Sequence, residues 1–382
     1  MMLLSEKATN LYTSSLRGNR RLIVFIVAII SFITLSFFTL SKASFSLGGG
    51  GGCGRTIRSL NEAVAFSSST GSSNSNGFFS IHRSGSSAGQ AKFINLNDLE
   101  ATANAKEEQQ HVLILTPVKN AEAYLERYFE LVDRLSYPKD LITMAFLVSD
   151  TTDNTVQILK DKADEFLNRP NPSERYHEIA IYEKDFNFQL PEDKRHTFEL
   201  QPLRRSFMAR SRNYLLTAAL REYHSWVLWL DVDVVEYPET IVEDLQSVDV
   251  DVVVPNCLLQ TEDGSFWAYD KNNWQETERS IELQKDLDPD YVLLEGYYEF
   301  LTNRYLMVDM PTHLGRFKKV PLDGVGATFT LVKAQVHREG ANFPPYVFQH
   351  QVETEGFAKM AKAMGFGVYG LPGYLIYHIR NS

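Results

Sequence analysis

Cysteine is scarce in this sequence, and positive charge is outnumbered by negative charge. Two cysteines among 382 residues, Cys53 in a glycine run and Cys257 far along the chain, cannot build a disulfide scaffold. The 38 lysines and arginines face 48 aspartates and glutamates, which gives a formal net charge of −10. A general nucleic-acid-binding protein needs a basic face to neutralise phosphates, so we expect no nucleic-acid partner.

Three common enzyme motifs are also missing. The chain contains no G-x-x-x-x-G-K-[ST] phosphate loop and no H-E-x-x-H pair. Gly324 and Gly326 begin a G-x-G-x-x-G pattern, but Phe329 stands in place of its last glycine. These absences argue against ATPases, zinc proteases and Rossmann dehydrogenases.

A long apolar run lies near the N-terminus. Residues 22–40 carry no charge, and at about 1.5 Å per residue such a helix is roughly 28 Å long, enough to cross a bilayer core. Residues 1–21 hold four lysines and arginines against Glu6 alone, so the positive-inside rule predicts a cytoplasmic N-terminus. A signal peptide cleaved near residues 41–43 is the alternative, but the length of the run favours an uncleaved anchor.

The chain therefore divides into four predicted segments. Residues 1–21 form a cytoplasmic tail, 22–40 a transmembrane anchor, 41–105 a Gly/Ser-rich stem and 106–382 a folded lumenal domain. The stem includes five consecutive glycines from Gly48. Such a composition cannot bury enough apolar surface to offset its backbone entropy, so we expect a flexible tether.

Short apolar runs alternate with helical patterns through the folded domain. The predicted strands and helices, in chain order, are a strand at 111–117, a helix at 121–135, a strand at 141–150, a helix through Val156 to Phe166, a strand at 178–185, a helix at 204–221 and a strand at 225–233. This alternation predicts a single α/β domain whose mostly parallel sheet is flanked by helices.

Asp-x-Asp pairs occur at several places, among them Asp231/Asp233, Asp249/Asp251 and Asp288/Asp290. Such a pair can chelate a divalent cation against a diphosphate, because Mg²⁺ and Mn²⁺ prefer oxygen ligands. Only the first pair follows a long buried strand, WVLWL. Ligands of open α/β sheets bind beyond the carboxyl ends of the strands, so we predict the metal site at this pair.

Other candidate residues have alternative explanations. His378 ends an apolar run and could be a metal ligand, or equally a hydrogen-bonded core histidine. Four arginines, at 204, 205, 210 and 212, could bind phosphate oxygens or form a solvated face. Asp323, Glu353 and Glu355 stand beside glycines, where loops could present them as acceptor-binding or acid/base groups, although caps and turns use the same residues.

Long stretches of this chain resemble the fungal mannan-polymerase glycosyltransferases, the Golgi family that builds the α-1,6-linked mannan backbone on N-glycans. The matching stretches are VLILTPVKNA (112–121), FLVSDTTD (146–153), RRSFMARSRNYLLTAAL (204–220), SWVLWLDVDVVEYP (225–238), VVVPNC (252–257), EGYYEFLTNR (295–304), LDGVGATF (322–329) and HREGANFPPYVFQHQVETEGFAKMAKAMG (337–365). They span about residues 110–380 in collinear order. One departure is Ala327, where the family pattern has a third glycine.

The resemblance implies a GT-A fold and transfer of mannose from GDP-mannose, with retention, using Mn²⁺. By position, Asp231 and Asp233 become the metal and diphosphate site, and His378 an additional metal ligand. Asp233 together with Asp323 and Glu353 would be the catalytic carboxylates, and the sequence leaves open whether retention uses a carboxylate nucleophile or same-face attack. The remaining substrate-binding candidates are Thr116, Pro117 and Asn120 after the first strand, Asp150 after the second, and Arg205 and Arg210.

The resemblance also implies partners and a compartment. We expect an N-glycan mannan acceptor, related mannosyltransferase subunits in a hetero-oligomeric complex, and a single-pass type II membrane protein located in the Golgi, with cycling through the ER left open. Two alternatives stay open. The chain could be a non-catalytic structural subunit, or a metal-dependent hydrolase such as a phosphodiesterase, which would usually need more ligands to hold two metals.

Overall fold

The computed structural model describes residues 91–259 and 267–379. The predicted cytoplasmic tail, the predicted anchor and most of the predicted stem lie outside these residues. Within them, no helix is long and apolar enough to cross a membrane. The end of the predicted stem packs onto the folded domain, because Ala101 and Ala105 are buried in its core.

The described residues contain twelve β-strands. In chain order they are β1 His111–Val118, β2 Ile142–Val148, β3 Glu178–Glu183, β4 His224–Leu230, β5 Val234–Glu236, β6 Val252–Leu259, β7 Trp267–Ala268, β8 Trp274–Gln275, β9 Tyr305–Leu306, β10 Val320–Pro321, β11 Phe329–Lys333 and β12 Val368–His378. The four strands predicted from apolar runs are confirmed as β1 to β4. Strands β1, β2 and β4 are buried along nearly their whole length, as expected for strands covered on both faces, whereas β3 at the sheet edge carries two glutamates and is only partly buried.

Seven α-helices accompany these strands in the part of the chain that the structure describes. They are α1 Glu122–Asp133, α2 Thr155–Leu167, α3 Gln201–Ala219, α4 Ile241–Gln246, α5 Glu278–Gln284, α6 Ala334–Arg338 and α7 Glu353–Ala363. The three predicted helices are confirmed as α1, α2 and α3. The α5 helix begins with a capping box, in which Thr277 and Ser280 each bond the backbone N–H of the other.

Ten of the strands form one mixed sheet with the order β10-β12-β6-β11-β4-β1-β2-β3, with β5 added beside β12 and β7 beside β6. Most paired residues lie in parallel ladders: β1 pairs in parallel with β2 and β4, and β6 with β12. Strand β11 lies antiparallel between β4 and β6 and joins the two parallel parts. The predicted α/β class with a mostly parallel sheet is confirmed.

The core lies on both faces of this sheet. Alternate residues of β1 show the division, since Val112 and Ile114 face one hydrophobic cluster and Leu113 and Leu115 the other. Helices α1, α2 and α4 cover the first face, and α3, α6 and α7 cover the second. Burial on both sides leaves the strand ends as the place where polar side chains can gather.

Two positions differ from their predicted location. Thr116 and Pro117 were expected to end the first strand and face the ligand, but β1 continues to Val118 and both residues pair within it, with Phe146 and Leu147 of β2. The strand tolerates both residues, because threonine is β-branched and proline removes only one backbone N–H donor from the ladder.

Glu353 and Glu355 were expected in a loop, but they occupy the first turn of α7. Carboxylates are favoured at that position, because the helix dipole places partial positive charge there.

Candidate active site

The Asp231/Asp233 pair forms the turn that follows β4. Strand β4 ends at Leu230. The N–H of Asp231 donates to the carbonyl of Thr328 at 3.0 Å, which extends the pairing of β4 with β11 by one residue. The next residues enter the short strand β5, which pairs with β12. The two carboxylates therefore stand at the carboxyl end of a fully buried strand, with 32% and 24% of their side chains exposed.

His378 lies beside this turn at the end of β12. Its Nε2 is 2.8 Å from Oδ1 of Asp233, and the ring of Tyr269 stacks on the imidazole with 3.7 Å between centroids. Burial lowers the pKa of His378, but the hydrogen bond to Asp233 and the charge of that carboxylate outweigh it, so the pKa lies above its ordinary value. The structure therefore brings two of the three predicted metal ligands, Asp233 and His378, into contact, and Asp231 lies in the same turn.

A buried arginine faces the other side of the turn. Arg212, from α3, places Nη2 3.4 Å from Oδ1 of Asp231 and Nε 3.2 Å from Oε1 of Glu353. Only 4% of its side chain is exposed. Burial raises the pKa of Asp231 to about 6, against the opposing effect of the Arg212 charge. Of the four arginines in this segment, Arg212 is the one in contact with the Asp-x-Asp turn.

A second buried ion pair joins the same two helices, about two turns closer to the start of α3. Arg205 pairs with Glu355, and its Nη2 also donates to Asn272 at 3.2 Å. The other carboxylate oxygen of Glu355 accepts from Nε1 of Trp274 at 2.9 Å. Arg205 and Arg212 are seven residues apart on α3, so the helix turns both toward α7. Each arginine pairs with a buried carboxylate, and Nη1 of Arg212 is buried without a hydrogen-bond partner among the described residues.

Arg210, predicted to bind substrate, lies on the outer surface of α3. Its guanidinium is 4.8 Å from the ring centre of Phe207 and 5.5 Å from that of Phe186. The structure gives it no contact with the Asp231/Asp233 turn. Its role as a phosphate ligand stays a prediction.

Two of the predicted substrate-binding residues, Asn120 and Asp150, lie just after strand ends. Asn120 follows β1, and its Oδ1 accepts from the N–H of Thr152 at 2.8 Å. Asp150 follows β2 and accepts from the N–H groups of Phe186 and Asn187 at 3.2 and 3.0 Å. Both have positive φ, 50° and 47°, so these residues shape the loops at the strand ends.

Two other predicted residues have structural contacts. The hydroxyl of Thr116 is buried in β1 and shares a 2.8 Å hydrogen bond with that of Tyr128. Asp323 pairs with Lys362 and accepts from the N–H of Glu276 at 2.7 Å. Within residues 91–259 and 267–379, no hydrogen bond or ion pair joins Asp323 to the Asp-x-Asp turn.

One supporting residue was missed from the sequence. Asp270 is buried, and its carboxylate accepts from the hydroxyl of Thr328 at 3.0 Å. The backbone carbonyl of the same Thr328 accepts from the N–H of Asp231. A Cβ at Gly326 would come within 2.0 Å of the same carboxylate, so this position requires glycine. The glycines of LDGVGATF were a signal that something approaches closely there, but nothing in the sequence identified Asp270 as the neighbour.

Asp231, Asp233 and His378 suit a divalent transition metal by donor type. Two carboxylates and an imidazole match the preferences of Mn²⁺, and the carboxylates remain partly open to solvent. In the described part of the chain no three His, Cys, Asp or Glu side chains are gathered in metal-binding geometry. The hydrogen bond between Asp233 and His378 joins two of the donor atoms that a metal would use.

Comparisons with known proteins place the chain among relatives. The Anp1 family model matches residues 90–347. The chain is 44% identical over 292 residues to the mannan polymerase II complex anp1 subunit of Schizosaccharomyces pombe, covering 74% of this chain and 68% of that protein. It is 38% identical over 293 residues to the mannan polymerase II complex ANP1 subunit of Saccharomyces cerevisiae, covering 75% of this chain but only 59% of that protein.

A solved structure also resembles the fold. The mannosyltransferase of Pyrobaculum calidifontis, in complex with GDP-Man and Mn²⁺, has a TM-score of 0.40 and 13% sequence identity. The alignment covers 74% of this chain and 59% of the other.

Proposed function

The chain belongs to the Anp1 family, and from this premise we propose that it is a glycosyltransferase of mannan synthesis with a GT-A fold. Specifically, it transfers mannose from GDP-mannose, with retention and in α-1,6 linkage, to the mannan outer chain of N-glycans. The names of its relatives as mannan polymerase subunits support the broad role. The donor and the linkage are the more specific parts of the proposal.

The observation that carries this proposal is the Asp231/Asp233 turn with His378 beside it. Acidic groups lie at the carboxyl end of a buried strand, where ligands of open α/β sheets bind. Asp231, Asp233 and His378 would hold Mn²⁺. The bound metal would neutralise the negative charge on the departing diphosphate.

The protein's own residues fix the position of these groups. Arg212 holds Asp231 from the protein interior, and Glu353 holds Arg212 from the opposite side. We therefore assign Glu353 a positioning role, because its carboxylate is 4% exposed and already paired. A group that must exchange a proton with an acceptor hydroxyl has to reach that hydroxyl, and this one is enclosed.

We further propose that the chain is a single-pass type II Golgi membrane protein that works with related subunits. The support is the uncharged run at residues 22–40, the excess of positive charge before it, and the complexes named for its relatives. A lumenal location would place the domain where N-glycans are extended.

The test uses the purified full chain with Mn²⁺, GDP-mannose and α-1,6-mannobiose. Product mass and linkage are followed for the unaltered protein and for Asp233→Ala. The matched control is Asp290→Ala, an exposed aspartate from another Asp-x-Asp pair. We expect mannose transfer in the unaltered protein and the control, and none in Asp233→Ala.

Two results would decide against the proposal. If the chain binds GDP-mannose with Mn²⁺ but transfers no mannose, alone or with a related subunit added, it is a structural subunit. If Asp233→Ala retains full transfer, the Asp-x-Asp turn is not the metal site.

A further inference from the structure

A polar cavity of about 300 Å³, separate from the candidate active site, opens between α1, β5 and β12. Its walls include two arginines, Arg127 and Arg134, together with Glu236 and Tyr377. None of these residues belongs to the candidate active site, and the sequence motifs did not single them out. The volume lies at the lower limit for a small-molecule site, and the charged walls offer hydrogen-bonding groups beside aromatic and aliphatic ones.

The two arginines are held in place by contacts that leave part of each guanidinium uncommitted. Arg127 donates from Nε to the carbonyl of Val235 at 3.0 Å and from Nη1 to Glu130 at 2.9 Å. Arg134 donates from Nε and Nη2 to Glu239 at 3.1 and 2.8 Å. Each arginine therefore keeps one terminal nitrogen without a hydrogen bond among the described residues. These nitrogens can donate to a ligand in the cavity.

Local charge indicates which class of ligand fits. Both guanidiniums are matched by their own glutamates, Glu130 and Glu239, and Glu236 adds a further carboxylate with no ion pair among the described residues. The cavity region thus carries about one net negative charge, which disfavours phosphates and carboxylates. A wholly apolar ligand would leave donors and acceptors unpaired. A neutral ligand with several hydroxyl groups satisfies both conditions.

We propose that this cavity binds a hexopyranosyl unit of a glycan. Neighbouring sugar hydroxyls can accept from a guanidinium and donate to the carboxylate of Glu236. The apolar face of the sugar ring can pack on Tyr377, which is half-buried, and on Leu375. This inference rests on the proposed function in one respect: the sugar is then a mannosyl unit of the acceptor.

The cavity and the candidate active site share two strands. Tyr377 pairs with Glu236, and the next residue of β12, His378, pairs with Val234. The ladder has a register shift between these two residues, where β12 bulges. The lining of the cavity includes Tyr377 but neither Asp233 nor His378, so the cavity is a separate site that shares β5 and β12 with the Asp233–His378 contact. An acceptor long enough to occupy both sites would bind more tightly than one that reaches only the active site.

The experiment measures binding of α-1,6-mannotetraose to the full chain by calorimetry, without donor or Mn²⁺. The variant is the double substitution Arg134→Gln and Glu236→Gln, which alters two exposed side chains and leaves the core intact. The control is Arg279→Gln, an exposed arginine on α5. We expect affinity to fall about tenfold in the double variant, since two hydrogen bonds are weakened, and to stay unchanged in the control.

Kinetics separate this inference from the proposed function. In the double variant the KM for mannotetraose should rise about tenfold, while kcat and the KM for mannobiose stay as in the unaltered chain. Equal mannotetraose affinity in the variant and the unaltered chain would overturn the cavity inference, even with transferase activity intact. Binding of inorganic phosphate that the double variant abolishes would also overturn it. Absence of all transfer would count against the proposed function, whereas the calorimetry would still decide the cavity.

Discussion

Arg212 and Glu353 form an enclosed ion pair, with 3.2 Å between Nε and Oε1 and 4% of each side chain exposed. The two residues are 141 positions apart in the sequence. Their contact joins α3 to the first turn of α7, and Arg212 extends it to Asp231. One guanidinium therefore links the stability of the helix pair to the position of the Asp-x-Asp turn.

Removing the carboxylate from this pair should destabilise the protein. In Glu353→Ala the buried Arg212 charge loses a partner, which costs about 3–5 kcal/mol in the free energy of unfolding. Urea unfolding followed by circular dichroism measures the change. The comparison is Glu278→Ala, an exposed glutamate in the first turn of α5, where a change within about 0.5 kcal/mol is expected. Equal losses in the free energy of unfolding of the two variants would show that the Arg212–Glu353 ion pair does not stabilise the protein.

A second buried network makes stability depend on pH. Burial raises the pKa of Glu276, but the charges of Arg304 and Lys359 outweigh burial and lower the pKa to about 2. Because the folded-state pKa lies below the unfolded value of 4.5, this carboxylate stabilises the fold above pH 4.5. The contribution is lost as pH falls from 4.5 toward 2, and by linkage it amounts to about 3 kcal/mol.

The measurement is the free energy of unfolding between pH 2 and pH 6 for the unaltered chain and for Glu276→Gln. The unaltered chain should lose stability more steeply below pH 4.5, because glutamine carries no proton-linked charge. Parallel curves for the two proteins would mean that the pKa of Glu276 is not depressed.

Gly326 should tolerate no side chain while Asp270 is present. A Cβ there would stand 2.0 Å from Oδ2 of Asp270, so Gly326→Ala forces the carboxylate or the turn to shift, at a cost of about 1–3 kcal/mol. A double-mutant cycle with Asp270→Ala tests the cause. The double variant should lose less stability than the two single losses added together, because the clash is gone. Strict additivity would rule out the clash as the cause.

His378 should govern the metal requirement of the proposed reaction. In His378→Ala the Mn²⁺ concentration for half-maximal mannose transfer should rise at least tenfold, since one ligand is lost. His313→Ala, which removes an exposed histidine, is the control and should leave that concentration unchanged. If His378→Ala also leaves it unchanged, then His378 is not a ligand and its hydrogen bond to Asp233 is structural.

The elements that could be predicted from the sequence are those whose signal is local. Strand β4 is an uninterrupted buried run, and Asp231 and Asp233 follow it directly, so both the strand and the location of the acidic turn were evident. The class of fold followed from the alternation of such runs with helical patterns. Thr116 was misplaced because a Thr-Pro pair usually ends a strand, whereas the ladder to β2 continues through it.

The parts that could not be predicted depend on contacts between distant segments. Arginines in the sequence of α3 look alike, and only the fold decides that Arg212 meets Asp231 while Arg210 faces aromatic rings at the surface. Glu353 looked like a loop residue because Gly356 follows it closely. Its burial depends on a partner that the chain supplies 141 positions earlier.

The arrangement of β11 and β12 has a consequence for how the chain folds. Strand β11 pairs with β4 about one hundred residues earlier, and β12 lies beside β6 at a similar separation. Contacts this distant require closure of long loops, and they slow folding. Asp233 can therefore meet His378 only after β12 has joined the sheet. Assembly of the candidate active site should be a late step in folding, well after β1, β2 and β3 have paired.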